Sequence, residues 1–383
     1  MDMKYTEEQK QLQDLARRYL EKECTIDFVR NLEKKDEEIG FSKEMWASFA
    51  EMGWLGLAIP EEHDGMGWGL VDQAILAMQM GRSICPSPYL STAVIAAEAI
   101  VLGGTDDQKS ELLEEIIGGE AVYAFCFQEN TREFGPKTVA LEAKADGDNY
   151  VINGSKMFVE FSKGADKLLV VTRTAGKVGE ESGLTMFIMD SDTKGITHTH
   201  LPTMARDRQY EVKFENVTVP KSAVLGPVGD GWTILNKVVQ KAAVIFSAYC
   251  AGTAEVMHEY ALEFSKERVQ FGRIIGQMQV IQQYLATCTI EIYGARTIVL
   301  YTAWHMDQGR DMLDYVAKTK AFTSHCVEHI CDRGSQIFGG MGYIEETPTT
   351  LHLRRGKQYQ LSMGGMAYWE DIVAEKMFGP VTA

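Results

Sequence analysis

The chain has 383 residues, 45% of them hydrophobic, so it exceeds one ordinary domain and can bury a sizeable core in two or three packed subdomains. Its 38 Lys and Arg against 54 Asp and Glu leave a net charge of −16, which argues against a nucleic-acid or anionic-membrane surface. The opening Met-Asp-Met-Lys-Tyr-Thr-Glu-Glu has no apolar signal core, and the most apolar stretch, Ala242 to Ala254, is too short to span a bilayer, so a soluble cytoplasmic protein is expected.

Thr6-Glu-Glu-Gln9 reads as a capping box followed by Leu12, Leu15, Ala16, Tyr19 and Leu20 at helical spacing. Further helical patterns run through Ser42 to Met52, Leu70 to Gly81, Thr92 to Leu102 and Asp106 to Ile117, broken by Pro60, Gly65, Gly67, Gly69 and the Pro86-Ser-Pro88 bend. Residues 1–120 are therefore expected to form an all-helical domain. From Ala121 the period becomes two: Val139, Leu141, Ala143 and Ala145 alternate with other residues, Gly147-Asp148 makes a turn, and Tyr150 and Ile152 resume before Asn153-Gly154. Leu168 to Thr172, Leu184 to Met189 and Glu211 to Val219 continue as strands, which predicts a β-barrel or sandwich over residues 121–231. Long helical periods return at Trp232 to Lys266, Met278 to Gly309, Asp314 to Phe338 and Met366 to Phe378, predicting an antiparallel helical bundle over 232–383 and an α+β chain as a whole.

Seven scattered cysteines with no Cys-x-x-Cys pair fit a reducing compartment better than a disulfide scaffold. The cluster His325-Cys326, His329 and Cys331 invites a metal reading. On one helix, however, His325 and His329 share a face while Cys326 and Cys331 are rotated away from a common centre, so no metal is expected.

Four motifs share one order and spacing: Arg268-Val-Gln-Phe-Gly272, Gln279, Gln336-Ile-Phe-Gly-Gly-Met-Gly342 and Tyr343-Ile-Glu-Glu-Thr-Pro348. Jointly they resemble the acyl-CoA dehydrogenases, over essentially the whole chain. The character is similar to the small subunit of pimeloyl-CoA dehydrogenase and to non-catalytic chains of two-subunit steroid-degrading enzymes. The resemblance implies the fold order read above: helical domain, middle β-domain, four-helix bundle. It also implies an FAD that takes a hydride from the substrate β-carbon while a glutamate removes the α-proton, with each site built across a dimer.

On that resemblance the neighbour-facing residues are Arg268 for the pyrophosphate, Phe271 stacking nearby, Gln279, and Gln336 with Gly339 and Gly340, where backbone approaches phosphate and ribose. The plainer alternative is that Arg268 caps a helix and the glycines turn the chain. The residues expected to face the chain's own flavin ring are mostly replaced. The family's Thr-Glu-Pro-Gly-x-x-Ser-Asp is here Gln128-Glu-Asn-Thr-Arg-Glu-Phe-Gly135, keeping only Glu129, and its Trp-Ile-Thr is Phe158-Val-Glu160. A carboxylate in place of that hydroxyl accepts but does not donate.

The base positions are replaced as well. The resemblance puts Met363 where the usual glutamate stands and Ala242 where a minority of the family carries it, with Ala243 in place of an adjacent arginine; Pro86-Ser-Pro-Tyr-Leu-Ser91 offers no aspartate. Arg354-Arg355 replaces an Arg-Asp pair, through an altered helix salt bridge or an acidic partner surface.

The expectation is a subunit of a heteromeric FAD-dependent acyl-CoA dehydrogenase. A sister chain would supply base and ring site, this chain would complete the cofactor site at the interface, and an electron-transfer flavoprotein would take the electrons. Two alternatives stand beside it: a self-sufficient dehydrogenase with Glu160 as an unorthodox base, and a flavin-free acyl-CoA-binding or lyase protein on the same scaffold.

Overall fold

In the computed structural model, residues 4–34 and 39–379 are described, so Met1 to Met3 of the opening segment lie outside the described residues. The helices α1 (Glu7–Glu23), α2 (Ile26–Lys34), α3 (Lys43–Glu51), α4 (Leu70–Arg82), α5 (Ala97–Gly103) and α6 (Asp106–Ile117) come first, with a π-helical stretch Leu90–Ala96 running into α5. The strands β1 (Tyr123–Cys126), β2 (Glu142–Asp146), β3 (Asn149–Glu160), β4 (Lys167–Arg173), β5 (Leu184–Asp190), β6 (Ile196–Leu201), β7 (Gln209–Pro220) and β8 (Val224–Leu225) follow. Then come α7 (Trp232–Glu267), the short strands β9 (Val269–Gln270) and β10 (Arg273–Ile274), α8 (Gln279–Asp307), α9 (Leu313–Phe338), α10 (Pro348–Leu361) and α11 (Met366–Phe378).

The chain folds into two compact units. One comprises Met1–Arg30, Gly69–Cys85 and Ala243–Ala383, the other Asn31–Trp68 and Pro86–Ala242. In the first, the expected capping box closes α1: Gln9 N donates to Thr6 Oγ1 at 3.2 Å and Thr6 N to Gln9 Oε1 at 3.1 Å. Leu12, Ala16 and Leu20 are buried at i, i+4, i+8, whereas Leu15 lies off that stripe and is exposed. Helix α4 crosses α7 with backbones touching. A Cβ on Gly252 would stand 1.9 Å from Met78 O and one on Gly81 would stand 2.3 Å from Tyr249 O, so only glycine allows the approach, and Thr253 Oγ1 donates to Gly81 O at 2.8 Å.

Helix α10 lay outside the expected helices because Thr-Thr-Leu-His-Leu-Arg-Arg-Gly carries no clean apolar stripe. Pro348 in its first turn and the buried Thr349, Leu351, His352 and Arg355 account for it. His352 is wholly buried between Pro348 O (2.9 Å) and Arg82 O (3.3 Å), and burial pushes its pKa down to about 4.

The second unit holds an eight-stranded sheet ordered β6-β7-β3-β2-β4-β5-β8, with β1 pairing β4 in parallel. Central β4 is buried along nearly its whole length, as Leu-Leu-Val-Val predicts for a strand covered on both faces. Asn153-Gly154 is not a strand end: β3 runs through it with a register shift against β7, Gly154 taking φ 138° and Asn153 Oδ1 accepting from Asn216 N at 2.8 Å. Val139 and Leu141, expected to begin a strand, precede β2 but are buried as expected.

Candidate cofactor-binding and catalytic positions

In the unit carrying the sheet, the segment after β1 bonds several of its polar groups to its own backbone. Gln128 Nε2 donates to Glu129 O (3.2 Å) and Glu133 O (3.1 Å), and Thr131 donates twice, through N to Glu129 O (2.8 Å) and through Oγ1 to Glu133 O (2.9 Å). Phe134 meets Phe127 edge-on at 5.2 Å, and Phe127 stacks on Phe125 (5.6 Å) and Trp232 (6.3 Å). Glu129, the one match to the resembled motif here, is buried. Its carboxylate accepts from Ala140 N, from Leu141 N and from Lys156 Nζ at 2.7 Å, and Lys156 also donates to Phe127 O at 3.0 Å. It staples β1, β3 and the loop before β2. Its survival is structural.

Glu160 ends β3 between Phe158 (φ 55°) and Phe161 (φ 56°), two left-handed residues that make this an unusual turn. Its Oε1 accepts from Gln209 Nε2 at 3.1 Å, and the same amide donates to Asp207 Oδ2 at 2.6 Å. Asp207 in turn accepts from Thr203 Oγ1. Glu160 is thus held in an amide-bridged pair of carboxylates, while Phe158 is exposed. At Gln128 to Gly135 the hydroxyl present, Thr131 Oγ1, donates to Glu133 O, and Phe158 to Glu160 carries none, so the ring half of a flavin does not fit these residues in the usual way.

The helical unit presents the opposite picture. Strands β9 and β10 form a hairpin absent from the expected elements, with Arg273 paired to Gln270 and Ile274 to Val269. Its two-residue loop is Phe271-Gly272, φ 52° and 75°, the left-handed pair such tight hairpins demand. Phenylalanine is a costly choice there, and it is 87% exposed. Arg268 precedes the hairpin and Gln279 opens α8, both exposed. Gln336 lies in the last turn of α9, which ends at Gly339 with φ 60°, ψ −136°. One apolar cluster ties these pieces together: Ala261, Ile275, Leu285 and Ile337 are buried in it, with Phe264 and Phe338 packed against it.

The two glycines differ in what they require. Gly339 needs its positive φ. A Cβ on Gly340 would meet nothing within 4 Å, whereas one on Gly342 would stand 2.3 Å from Ser335 O. No neighbour within the fold therefore demands glycine at 340. Tyr343, which opens the last of the four motifs, is 90% exposed beside these glycines. An exposed arginine and a glycine whose Cβ position is open suit a phosphate-bearing ligand, so the pyrophosphate and adenosine half of a dinucleotide fits here.

Of the positions the resemblance assigns to a base, Ala242 is wholly buried on α7, as is its neighbour Ala243. Met363 is half-buried with φ 54°, followed by Gly364 at 82°, and its carbonyl accepts from Trp369 Nε1 at 2.9 Å. Neither alanine nor methionine takes up a proton. Arg355 is buried and donates to Gln358 Oε1 at 3.1 Å, so it is not an outward charge for a partner. His329 Nδ1 lies 2.8 Å from Glu291 Oε2 and stacks on His325, while Cys326 and Cys331 are buried; among the described residues no group of three or more His, Cys, Asp or Glu converges as a metal site. No described helix is long and apolar enough to cross a membrane.

Family comparisons match all three segments. The acyl-CoA dehydrogenase N-terminal domain corresponds to residues 6–120, the middle domain to 125–217 and the C-terminal domain to 229–378. The chain is 28% identical to the caffeyl-CoA reductase-Etf complex subunit CarC of Acetobacterium woodii, covering 90% of this chain and 91% of that protein. Butyryl-CoA dehydrogenase of Megasphaera elsdenii superposes with a TM-score of 0.90 at 26% identity, covering 98% and 100% of the two chains. A Tcur3481-Tcur3483 steroid ACAD variant superposes with a TM-score of 0.86 at 27% identity, covering 97% and 98%. The chain belongs to the acyl-CoA dehydrogenase family.

Proposed function

We propose that this chain is a subunit of a heteromeric FAD-dependent acyl-CoA dehydrogenase that lacks a base of its own and completes the flavin site of a sister chain. FAD, when bound, supplies the hydride acceptor for oxidation between the α- and β-carbons of an acyl thioester. This chain would contribute Arg268 to the pyrophosphate and would bring Phe271, Gln279, Gln336, Gly339 and Gly340 against the remainder of the nucleotide half. The sister chain would bring the proton acceptor and the ring donors.

The observation that carries the reading is the asymmetry between the two sets. The nucleotide-facing residues are exposed, on segments whose neighbouring residues Ile275 and Ile337 are buried in one apolar cluster, and Gly340 has no packing reason to be glycine. The ring-facing segment has its donors folded onto its own backbone, and both base positions are non-titratable. The exposed Tyr343 beside the nucleotide-facing set gives a partner a large apolar contact. Likeness to a named Etf-complex subunit and to a two-component steroid ACAD supports an electron-transfer flavoprotein and a sister dehydrogenase chain as partners.

The test is flavin absorbance of the chain purified alone and again after co-expression with a sister chain. The reading expects colour and acyl-CoA oxidation only in the co-expressed complex. A yellow, active homomer would replace it with a self-sufficient enzyme using Glu160, and a colourless complex that still binds acyl-CoA would favour a flavin-free protein.

A further inference from the structure

Lys320 on α9 is wholly buried, and among the described residues no acidic side chain accepts from its ammonium. Its three hydrogens go to Ser324 Oγ (3.1 Å), Tyr359 O (2.9 Å) and Gln360 O (3.1 Å). The two carbonyls belong to the last turn of α10, where main-chain acceptors have no helical donor and the helix dipole concentrates negative charge. Three residues past Gln360 the backbone enters the left-handed pair Met363 (φ 54°) and Gly364 (φ 82°), closed on the far side by the bond from Trp369 to Met363 O. A non-glycine residue in that conformation persists only where its surroundings over-determine it.

We infer that Lys320 is the positioning residue for the turn at 362–365: by clamping the end of α10 it fixes the backbone from which residue 363 projects, whatever side chain stands there. A lone buried ammonium is costly, and an apolar residue would fill the same volume without that cost. Burial pushes its pKa down to about 8 against an opposing pull from the Cys250 thiol of α7, so the carbonyls compensate the charge only partly. In a chain that has methionine at the base position, the clamp leaves the presenting turn intact. The loss is confined to the side chain.

The inference meets the functional reading only in that 363 is the base position, and its test uses no activity. Hydrogen exchange of the peptide spanning 361–366 is compared in the wild-type chain, Lys320→Met and Lys320→Gln, with urea unfolding as the control for global stability. Lys320→Met is expected to stay folded yet to exchange in 361–366 at least about tenfold faster, while exchange in α7 and α8 is unchanged. Lys320→Gln keeps two donors and restores part of the protection. Unchanged protection of 361–366 in either folded variant overturns the inference, as does a loss spread evenly over the helical unit. If Lys320→Met does not fold, the glutamine variant alone decides, because a clamp predicts a change confined to 361–366.

Discussion

Glu129 and Lys156 form an ion pair at 2.7 Å in which the lysine is wholly buried and the carboxylate nearly so. Burial lowers the Lys156 pKa, and the glutamate beside it opposes that shift. Removing one partner would strand the other charge in the sheet. Glu129→Gln is expected to cost about 3–5 kcal/mol in urea unfolding, with much of the loss recovered in Glu129→Gln/Lys156→Met, where no ion remains. A cost below about 1 kcal/mol would mean that the pair is solvated and would reopen a cofactor-facing role for Glu129.

Arg268→Ala and Gln336→Ala should each lower FAD affinity of the heteromeric complex by roughly 10- to 150-fold, the equivalent of a charge-assisted contact of about 1.5–3 kcal/mol. The measurement is flavin retention on dilution of the co-expressed complex. Equal retention in both variants would leave Arg268 as a helix cap and the glycines as turns.

The fold could be read largely from periodicity, because most helices bury an i, i+4 stripe and β4 and β5 are continuous apolar runs. Helix α10 and the β9–β10 hairpin could not. The former has buried polar residues whose partners lie far along the chain, such as His352 on Arg82 O, and the latter is two residues per strand. At the candidate site, the family resemblance singled out Arg268 through Gly340 and the replaced base positions. It could not tell that Glu129 survives for Lys156, since a carboxylate in a motif looks the same whether it faces a ligand or a buried ammonium.

Lys320 makes a pH prediction with a definite sign. Its folded-state pKa of about 8 lies below its ordinary value of 10.5, so between these pH values the unfolded chain binds the extra proton and stability rises with pH. That contribution is complete above about 10.5 and is lost as pH falls through 8. The wild-type chain should therefore gain on the order of 2–4 kcal/mol relative to Lys320→Met between pH 7 and 10.5, the difference removing the titration of all other groups. Parallel stability curves for the two proteins would show that the ammonium is solvated in the folded state.

Met363→Glu restores a carboxylate on a turn whose backbone already holds a left-handed φ of 54°. Had the chain lost its base alone, this single substitution would yield a dehydrogenase without a partner. The segments that the resemblance assigns to the flavin ring argue otherwise: Gln128 and Thr131 are spent on their own loop, and Glu160 accepts from Gln209. Proton abstraction without a hydride acceptor is not oxidation. The new carboxylate would instead sit half-buried without an assigned cation, its pKa raised, at a cost on the order of 1–3 kcal/mol. The measurement is substrate-dependent reduction of an electron acceptor by the purified variant alone, together with its unfolding midpoint. Loss of stability without turnover is expected, and robust turnover would establish a competent ring pocket in this chain.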